Sequence, residues 1–455
     1  MTTEAENARL RQEISQLSAA NKALQARVAE LEQALAELLA KSKERPAFVK
    51  ANKRQEQEPP PRRKRAAKHN QARRREVPTR VESHRLTACP RCGVALSKHK
   101  ASYSRQIIDI PEPQPVEVVE HQIEAGWCVH CRQWHRPAVA WPQAVGQGRI
   151  GVRLRGLVGY MHSILRLPYR QIQAFLQTVH RVRLSVGELV NLSQKIGQTL
   201  TKEISTIQQE AQQSATVHMD ETGWRENGQN GYIWCLVTDG PQAVRYFEYH
   251  RSRAGPVVTH LLSDAFGGVL VSDFYGAYNV YAGRHQRCWV HLLRDLAQLR
   301  EEHATDGPIV TWCVGVKNLY YLARDLARDP TLDEAARQAN VERLVEMARQ
   351  FGLLYAQADH PCRALAKRLL RHMDELFLFV RYPDLSADNN LAERALRPLV
   401  IQRKVCGGSR SPQGSQATMR LATLFHTWLA RGLNPLLECW RLFGYQPSWA
   451  ISSQV

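Results

Sequence analysis

No apolar run in these 455 residues approaches 18, and the opening M-T-T-E-A-E-N is acidic with no apolar segment behind it. Both absences argue against a membrane span and against a secretory leader, so a cytoplasmic protein with no membrane partner is expected. Cysteine is too sparse for the dense disulfide framework of a small secreted domain. Cys235, Cys288, Cys313, Cys362, Cys406 and Cys439 stand singly and read as small buried hydrophobes. Acid is in deficit, with 43 Asp and Glu against 62 Lys and Arg, and the resulting net charge of +19 points to a polyanionic partner. Apolar residues almost vanish from 41 to 80, where 15 Lys and Arg face four Glu. With Pro46, Pro59, Pro60, Pro61 and Pro78 interspersed, this stretch has no means of burying a core. Its densest part, Arg62, Arg63, Lys64, Arg65, Lys68, Arg73, Arg74 and Arg75, is expected to be disordered until it meets phosphate. The plainer alternative is a solvated linker.

Periodicity dominates the first forty residues. Leu10, Leu17, Leu24, Leu31 and Leu38 recur every seven, interleaved by Asn7, Ile14, Asn21, Val28 and Leu35. Leucine at d with β-branched residues and an interior asparagine at a is the pattern of a parallel two-stranded coiled coil. A basic-zipper regulator would place its basic helix before the zipper and continuous with it. Here the basic run follows and is broken by proline, so the zipper reads as a dimerisation device; an intramolecular helical hairpin is the other solution.

Cys89 and Cys92 in C-P-R-C-G, and Cys128 and Cys131 in C-V-H-C-R, form two Cys-x-x-Cys pairs able to supply four thiolates to one tetrahedral zinc. The 35 residues between Cys92 and Cys128 hold two strand-like stretches, 105 to 110 and 116 to 123, around Pro111, Pro113 and Pro115. A hairpin projecting between the knuckles of a zinc ribbon is therefore expected. His84, His99, His130 and His135 are substitute ligands, and a redox disulfide or unpaired thiols are the alternatives to structural zinc.

From about 150 to 213 the pattern turns helical. One helix runs from 152 to Pro168, a second to about Val182, and Ser185 with Glu188 forms a capping box that opens a third. Arg166, Arg170, Arg181 and Arg183 fit either a DNA-docking helix-turn-helix or a spacer with solvated arginines.

Three acids sit at points of structural punctuation. Asp220 ends the β-prone S-A-T-V-H-M-D before E-T-G-W, and Asp273 follows the strand-like G-V-L-V-S. Glu393 lies in D-N-N-L-A-E-R-A-L-R-P, where Asp388 reads as the helix N-cap and Leu391, Ala392, Ala395, Leu396 and Leu399 form the apolar stripe. Hard cations prefer oxygen ligands, so a carboxylate trio without histidine fits magnesium or manganese and phosphoryl transfer better than zinc hydrolysis. On spacing alone, solvated turn acids and an ordinary Glu393 to Arg397 helix pair explain the same residues. Strands are expected at 231 to 239 and 243 to 249, and the 120 residues separating Asp273 from Glu393 imply a helical insertion, about 300 to 385.

The words around those acids, H-M-D-E-T-G-W, V-S-D-F-Y-G-A-Y, Q-R-C-W-V-H, N-N-L-A-E-R-A-L-R-P and R-K-V-C-G-G-S-R-S, resemble the transposases of the insertion-sequence-sixty-six family. Departures are V-H-L-L-R-D-L after Trp289 and A-R-G-L-N-P at 430 to 435. The resemblance implies a ribonuclease-H-like catalytic domain with an Asp-Asp-Glu triad on Asp220, Asp273 and Glu393, and a place for His291 beside it, touching the scissile phosphate or orienting a ligand. It implies an enzyme that binds the double-stranded ends of its element, cleaves and joins DNA, works as a homodimer or larger assembly, nucleoid-associated when bound, and draws on accessory transposition proteins. Arg397, Arg403 and Lys404, with Gly407 and Gly408, are placed to hold phosphates after Glu393. A metal-dependent nuclease of the same fold and a catalytically silent DNA-binding regulator are the rival readings.

The expected architecture is multidomain, mixed α+β and α/β: a coiled coil at 1–42, a basic linker at 43–82, a zinc ribbon at 83–148 and a helical linker at 149–213. The catalytic domain at 214–415 and a C-terminal helical region at 416–455 complete it.

Overall fold

The computed structural model describes residues 75–100, 103–138 and 148–447, with Lys22 and Gln25. The leucine ladder and the basic run from Arg62 to Arg74 lie outside the described residues. The chain divides into two compact units, residues 1–110 and 111–455.

In the first unit the chain turns at Cys89: the Cys89 amide donates to the Val94 carbonyl, and the Gly93 amide donates to the Cys89 carbonyl, both at 2.8 Å. In the second unit, β1 (Gly126–Cys128) pairs antiparallel with β2 (Gln133–His135), Trp127 opposite Trp134. The expected hairpin from 105–110 and 116–123 is not there; neither stretch is a strand, and Ile107, Ile108 and Val118 are exposed. The pairing falls instead to the short segments that flank the second cysteine pair.

Four helices follow: α1 (Val152–Ser163), α2 (Tyr169–His180), α3 (Val186–Thr199) and α4 (Thr201–Gln212). α1 stops at Ser163, short of Pro168, which instead serves as N-cap of α2; Arg166 between them takes a φ of 58°. The Ser185 hydroxyl accepts the Glu188 amide at 3.1 Å, as the capping box requires.

The sheet is built from β3 (Thr216–Glu226), β4 (Gln229–Val237), β5 (Arg245–His250), β6 (Val269–Ser272) and β7 (His285–Arg287), in the order β5-β4-β3-β6-β7. β3, β4 and β5 form an antiparallel meander, whereas β6 and β7 join β3 in parallel. A helix absent from the sequence expectation, α5 (Gly255–Leu262), makes the crossover from β5 to β6. Between β7 and the glutamate-bearing helix α11 (Asn390–Cys406) lies the expected helical insertion: α6 (Trp289–Glu302), α7 (Gly307–Arg328), α8 (Glu334–Tyr355), α9 (Arg363–His372) and α10 (Leu378–Arg381). The chain then runs through α12 (Pro412–Ala430) and α13 (Pro435–Leu442).

Strand alternation sorts the side chains by face. Val217, Met219, Trp234, Leu236, Tyr246 and Leu270 join a core shared with α3, α4, α5, α12 and α13. Trp224, Ile233, Cys235, Val237 and Phe247 point the other way, against Ala392, Leu396 and Leu399 of α11. Each of those leucines contributes on the order of 1.5–3 kcal/mol by leaving water. The insertion packs around its own core, with Trp289, Trp312, Leu344 and Phe377, and meets the sheet at Val269 and Val271. The boundary expected at 415 and 416 is corrected here, because it falls inside α12, whose Leu421, Leu424, Phe425 and Trp428 complete the core of the sheet. No helix among the described residues is long and apolar enough to cross a membrane.

Candidate active site

Asp220 sits in the middle of β3 rather than at its exit. The hairpin with β4 carries β3 on to Glu226, through Gly223, while the parallel pairing with β6 ends at His218 and Val271. Asp220 therefore lies just beyond the shared ladder on the β6 side. Asp273 immediately follows β6, at the carboxyl end of the neighbouring parallel strand, and its Oδ1 accepts the Tyr275 amide at 2.8 Å. The crevice at the carboxyl ends of two adjacent parallel strands is where open sheets place their ligands.

Glu393 is in the first turn of α11. The N-cap is Asn389, one residue beyond the expected Asp388, whose carboxylate accepts the Asn390 amide at 2.9 Å instead. Asn389 is buried and its side chain ties three segments together. Its amide donates to the Met219 carbonyl at 2.7 Å, its Oδ1 lies 3.1 Å from His218 Nδ1, and its backbone N–H meets Cys288 Sγ at 3.2 Å. Because Met219 precedes Asp220 and Cys288 caps α6, this clamp sets the start of α11 beside β3 and places Glu393 against His291. His291 Nε2 is 3.7 Å from Glu393 Oε1.

The three acids interact. Burial, first, and then the charges of Glu221, Asp273 and Glu393 push the Asp220 carboxyl up to about 8, against the lowering effect of the Glu221 amide. Glu393 Oε1 and His291 Nδ1 are buried without a hydrogen-bond partner among the described residues. Neighbouring carboxylates with a buried oxygen free of hydrogen bonds have the donor chemistry that hard cations such as magnesium or manganese take.

Two supporting residues escaped the sequence reading. Glu221 alternates to the opposite face of β3, where it is fully buried; Arg253 Nε and Nη2 reach its Oε1 at 2.8 and 2.6 Å, and Tyr278 donates to its other oxygen. Arg287, on β7, is buried and donates to the Asp273 carbonyl at 2.9 Å and to Asn279 at 2.6 Å while pairing with Glu375. Against the burial that would raise it, hydrogen bonds from His372 and Arg287 hold Glu375 down to about 2. Neither role has a local signature, since the partners are far away in sequence.

The cations near Glu393 divide. Arg397 and Lys404 are exposed on α11. At about 100° per residue, positions four and eleven beyond Glu393 return to within roughly 40° of it, so they share its face. Arg403 is committed to β3, donating to the Gly223 carbonyl. Gly408 serves β3 as well: with φ +97°, a Cβ there would stand 2.2 Å from the Arg225 carbonyl oxygen, and the Ser409 amide donates to that oxygen at 2.8 Å. The close backbone approach expected for phosphate is thus made to a strand. Arg75, exposed, donates to the Ser104 carbonyl at 2.6 Å.

Both cysteine pairs sit in knuckles with the same device: the residue after the second cysteine is left-handed, Gly93 at φ 75° and Arg132 at φ 49°. Backbone N–H groups of Arg91 and Cys92 lower the Cys89 thiol, and those of Cys131 and His130 lower Cys128, which favours thiolate ligands. The ligand atoms of Cys128, Cys131 and His135 lie within 4.8 Å of one another, so His135 joins the candidate donors.

The chain is 32% identical over 170 residues to the uncharacterized protein y4jO of Sinorhizobium fredii, a stretch covering 36% of this chain and 49% of that protein. With the uncharacterized protein y4qI of the same organism it shares 27% identity over 229 residues, 45% of this chain and 42% of the relative. The chain thus spans less than half the length of these curated relatives. Residues 87–132 match the zinc-finger binding domain of transposase IS66, and residues 147–417, more than half of the chain, match the Transposase IS66 family. The chain belongs to the IS66 family of transposases.

Proposed function

We propose that the chain is a DNA transposase whose catalytic domain is ribonuclease-H-like, with Asp220, Asp273 and Glu393 as its triad. The observation that carries this reading is the convergence of the three carboxylates from β3, the end of β6 and the first turn of α11, with Asp273 and Glu393 near enough to add to the burial and the Glu221 charge that raise Asp220. The sheet order, with the first acid on the central strand and the second just past the end of its parallel neighbour, supports it further.

Asp220, Asp273 and Glu393 would hold two magnesium or manganese ions, which supply activation of an attacking water or 3′-hydroxyl and stabilisation of the leaving oxygen. The protein's own groups do the rest. The Asn389 clamp and Arg287 fix Glu393 and Asp273 in place. Glu221, held by Arg253 and Tyr278 on the opposite face of β3, adds its charge beneath Asp220. His291, beside Glu393, meets the scissile phosphate or orients a ligand. Arg397 and Lys404, on Glu393's face, receive the backbone of a duplex. The cysteine knuckles, which would hold a structural zinc, the helices α1 to α4 with exposed Arg170 and, in the loop between α2 and α3, Arg181 and Arg183, and the basic run from Arg62 to Arg75 bind the element's ends. The leucine ladder pairs two subunits.

Incubation of the full chain with magnesium and a labelled duplex from the DNA flanking its own gene, against Asp273→Asn, tests the reading. Strand breaks and joined products that disappear in the variant, with binding retained, are expected. Breaks without joining would reduce the function to a nuclease, and metal-independent binding alone would make it a regulator.

A further inference from the structure

A further metal-ligand constellation lies away from both the carboxylate triad and the cysteine knuckles, on the β5 edge of the sheet. Glu248 and His250 are two apart on β5, so they project from the same face, and His260 reaches them from α5. The three ligand atoms fall within 4.8 Å of one another. His250 Nε2 is 2.9 Å and His260 Nε2 is 3.3 Å from the same oxygen, Glu248 Oε1. Tetrahedral coordination with bonds of about 2.0–2.1 Å sets neighbouring donors roughly 3.3–3.4 Å apart, so this spacing needs only small adjustment to accept an ion.

Three further observations suit a site. The Tyr246 hydroxyl donates to the other carboxylate oxygen, Oε2, at 2.6 Å, and so turns Oε1 toward the two imidazoles, as an outer-shell partner does. The imidazole rings stand 5.6 Å apart at 70°, two separate nitrogens facing one oxygen. His260 is also exposed and lines an open surface groove of about 530 Å³ with Thr259 and Asp264, so the cluster is reachable from solvent through this ligand.

We propose that Glu248, His250 and His260 bind a borderline divalent cation of the zinc class, with water completing its coordination. Two imidazoles and one carboxylate suit zinc or cobalt and do not suit magnesium. The site has a structural purpose. His250 and His260 bracket the loop that carries Arg253, the group paired with Glu221 directly beside Asp220. An ion joining the two ends of that loop staples Arg253 in place, so this is a positioning site for the strand that holds the first catalytic acid. Its existence does not depend on the reading of the triad.

Without an ion, the same contacts are two imidazole N–H groups donating to one carboxylate, and a metal count separates the two. The full chain, stripped with a chelator, reloaded with cobalt(II) and dialysed, is compared with His260→Gln and with the pair His250→Ala and His260→Ala, after circular dichroism shows matched folding. His260 has a 58% exposed side chain, so His260→Gln leaves packing in place. Wild type is expected to retain one more equivalent per chain than either variant. The near-ultraviolet thiolate-to-cobalt bands of the cysteine knuckles should remain equal, and only visible absorption without thiolate character should fall. Equal cobalt content in all three chains overturns the site, as does a difference confined to the thiolate bands.

Discussion

Asp220 carries the most information of any side chain because its environment disfavours its own charge. Its carboxyl is raised to about 8 by burial and by neighbouring acids, so the folded chain binds a proton there that the unfolded chain has released. The contribution to stability is complete below the unfolded value near 4 and is lost as pH rises through about 8. Held in chelator, wild type should therefore lose melting temperature between pH 5 and pH 8.5 more steeply than Asp220→Asn, whose amide has no charge to expose. Magnesium should restore wild type above pH 8 and leave the variant unmoved. Parallel pH profiles for the two chains would break the link between this acid and a cation. The acids were legible in the sequence because each carries a recognisable local word. Asn389 was not, because its amide acts on the Met219 carbonyl, 170 residues earlier, and nothing in N-N-L-A-E names that partner.

The β3–β4 hairpin shows how an element overrules its local text. Gly223 reads as a strand end, yet nine cross-strand pairs carry β3 to Glu226, and the G-G-S segment after α11 extends the pairing at Ser409. Gly407 and Gly408 are both left-handed but differ in surroundings. A Cβ at Gly407 meets open space, whereas one at Gly408 meets the backbone of Arg225. Gly407→Ala should cost about 1–2 kcal/mol, the usual left-handed penalty. Gly408→Ala adds displacement of the strand and loss of its hydrogen bond, about 1–3 kcal/mol more. Thermal melting that ranks the two equally, or in reverse, would remove Gly408 from the strand contact.

In the assembled domain, the last helices belong to the centre. Leu421, Leu424, Phe425 and Trp428 of α12 are buried among residues of β3, β4, β5 and α5, and Ile196, Ile204 and Ile207 of the preceding helices close the same core. Removing a single buried Phe or Trp costs about 3–5 kcal/mol, and a domain's whole stability is about 5–15 kcal/mol. A chain ended after residue 415 should therefore lose cooperative melting and expose apolar surface to a dye, while Leu433→Ala, at a 41% exposed position, should melt as wild type does. A cooperative transition in the shortened chain would restore a boundary at 415.

What could be read without coordinates was local in origin: the capping box at Ser185, the helical run between Asp273 and Glu393, the strands at 231–239 and 243–249, and the cysteine knuckles. Each rests on periodicity or on a turn within a few residues, and such signals survive in one dimension. Folding alone decided that α12 joins the sheet's core, that Glu221 faces Arg253 away from Asp220, that Arg403 is spent on Gly223, and that Glu248 and His250 meet His260. Those outcomes depend on which distant segment supplies the missing apolar face, cation or hydrogen-bond partner, and the hydrophobic effect that drives the choice is non-directional. The words around the acids, through their resemblance to a known family, therefore carried the candidate acids, and packing carried the geometry that sets them together.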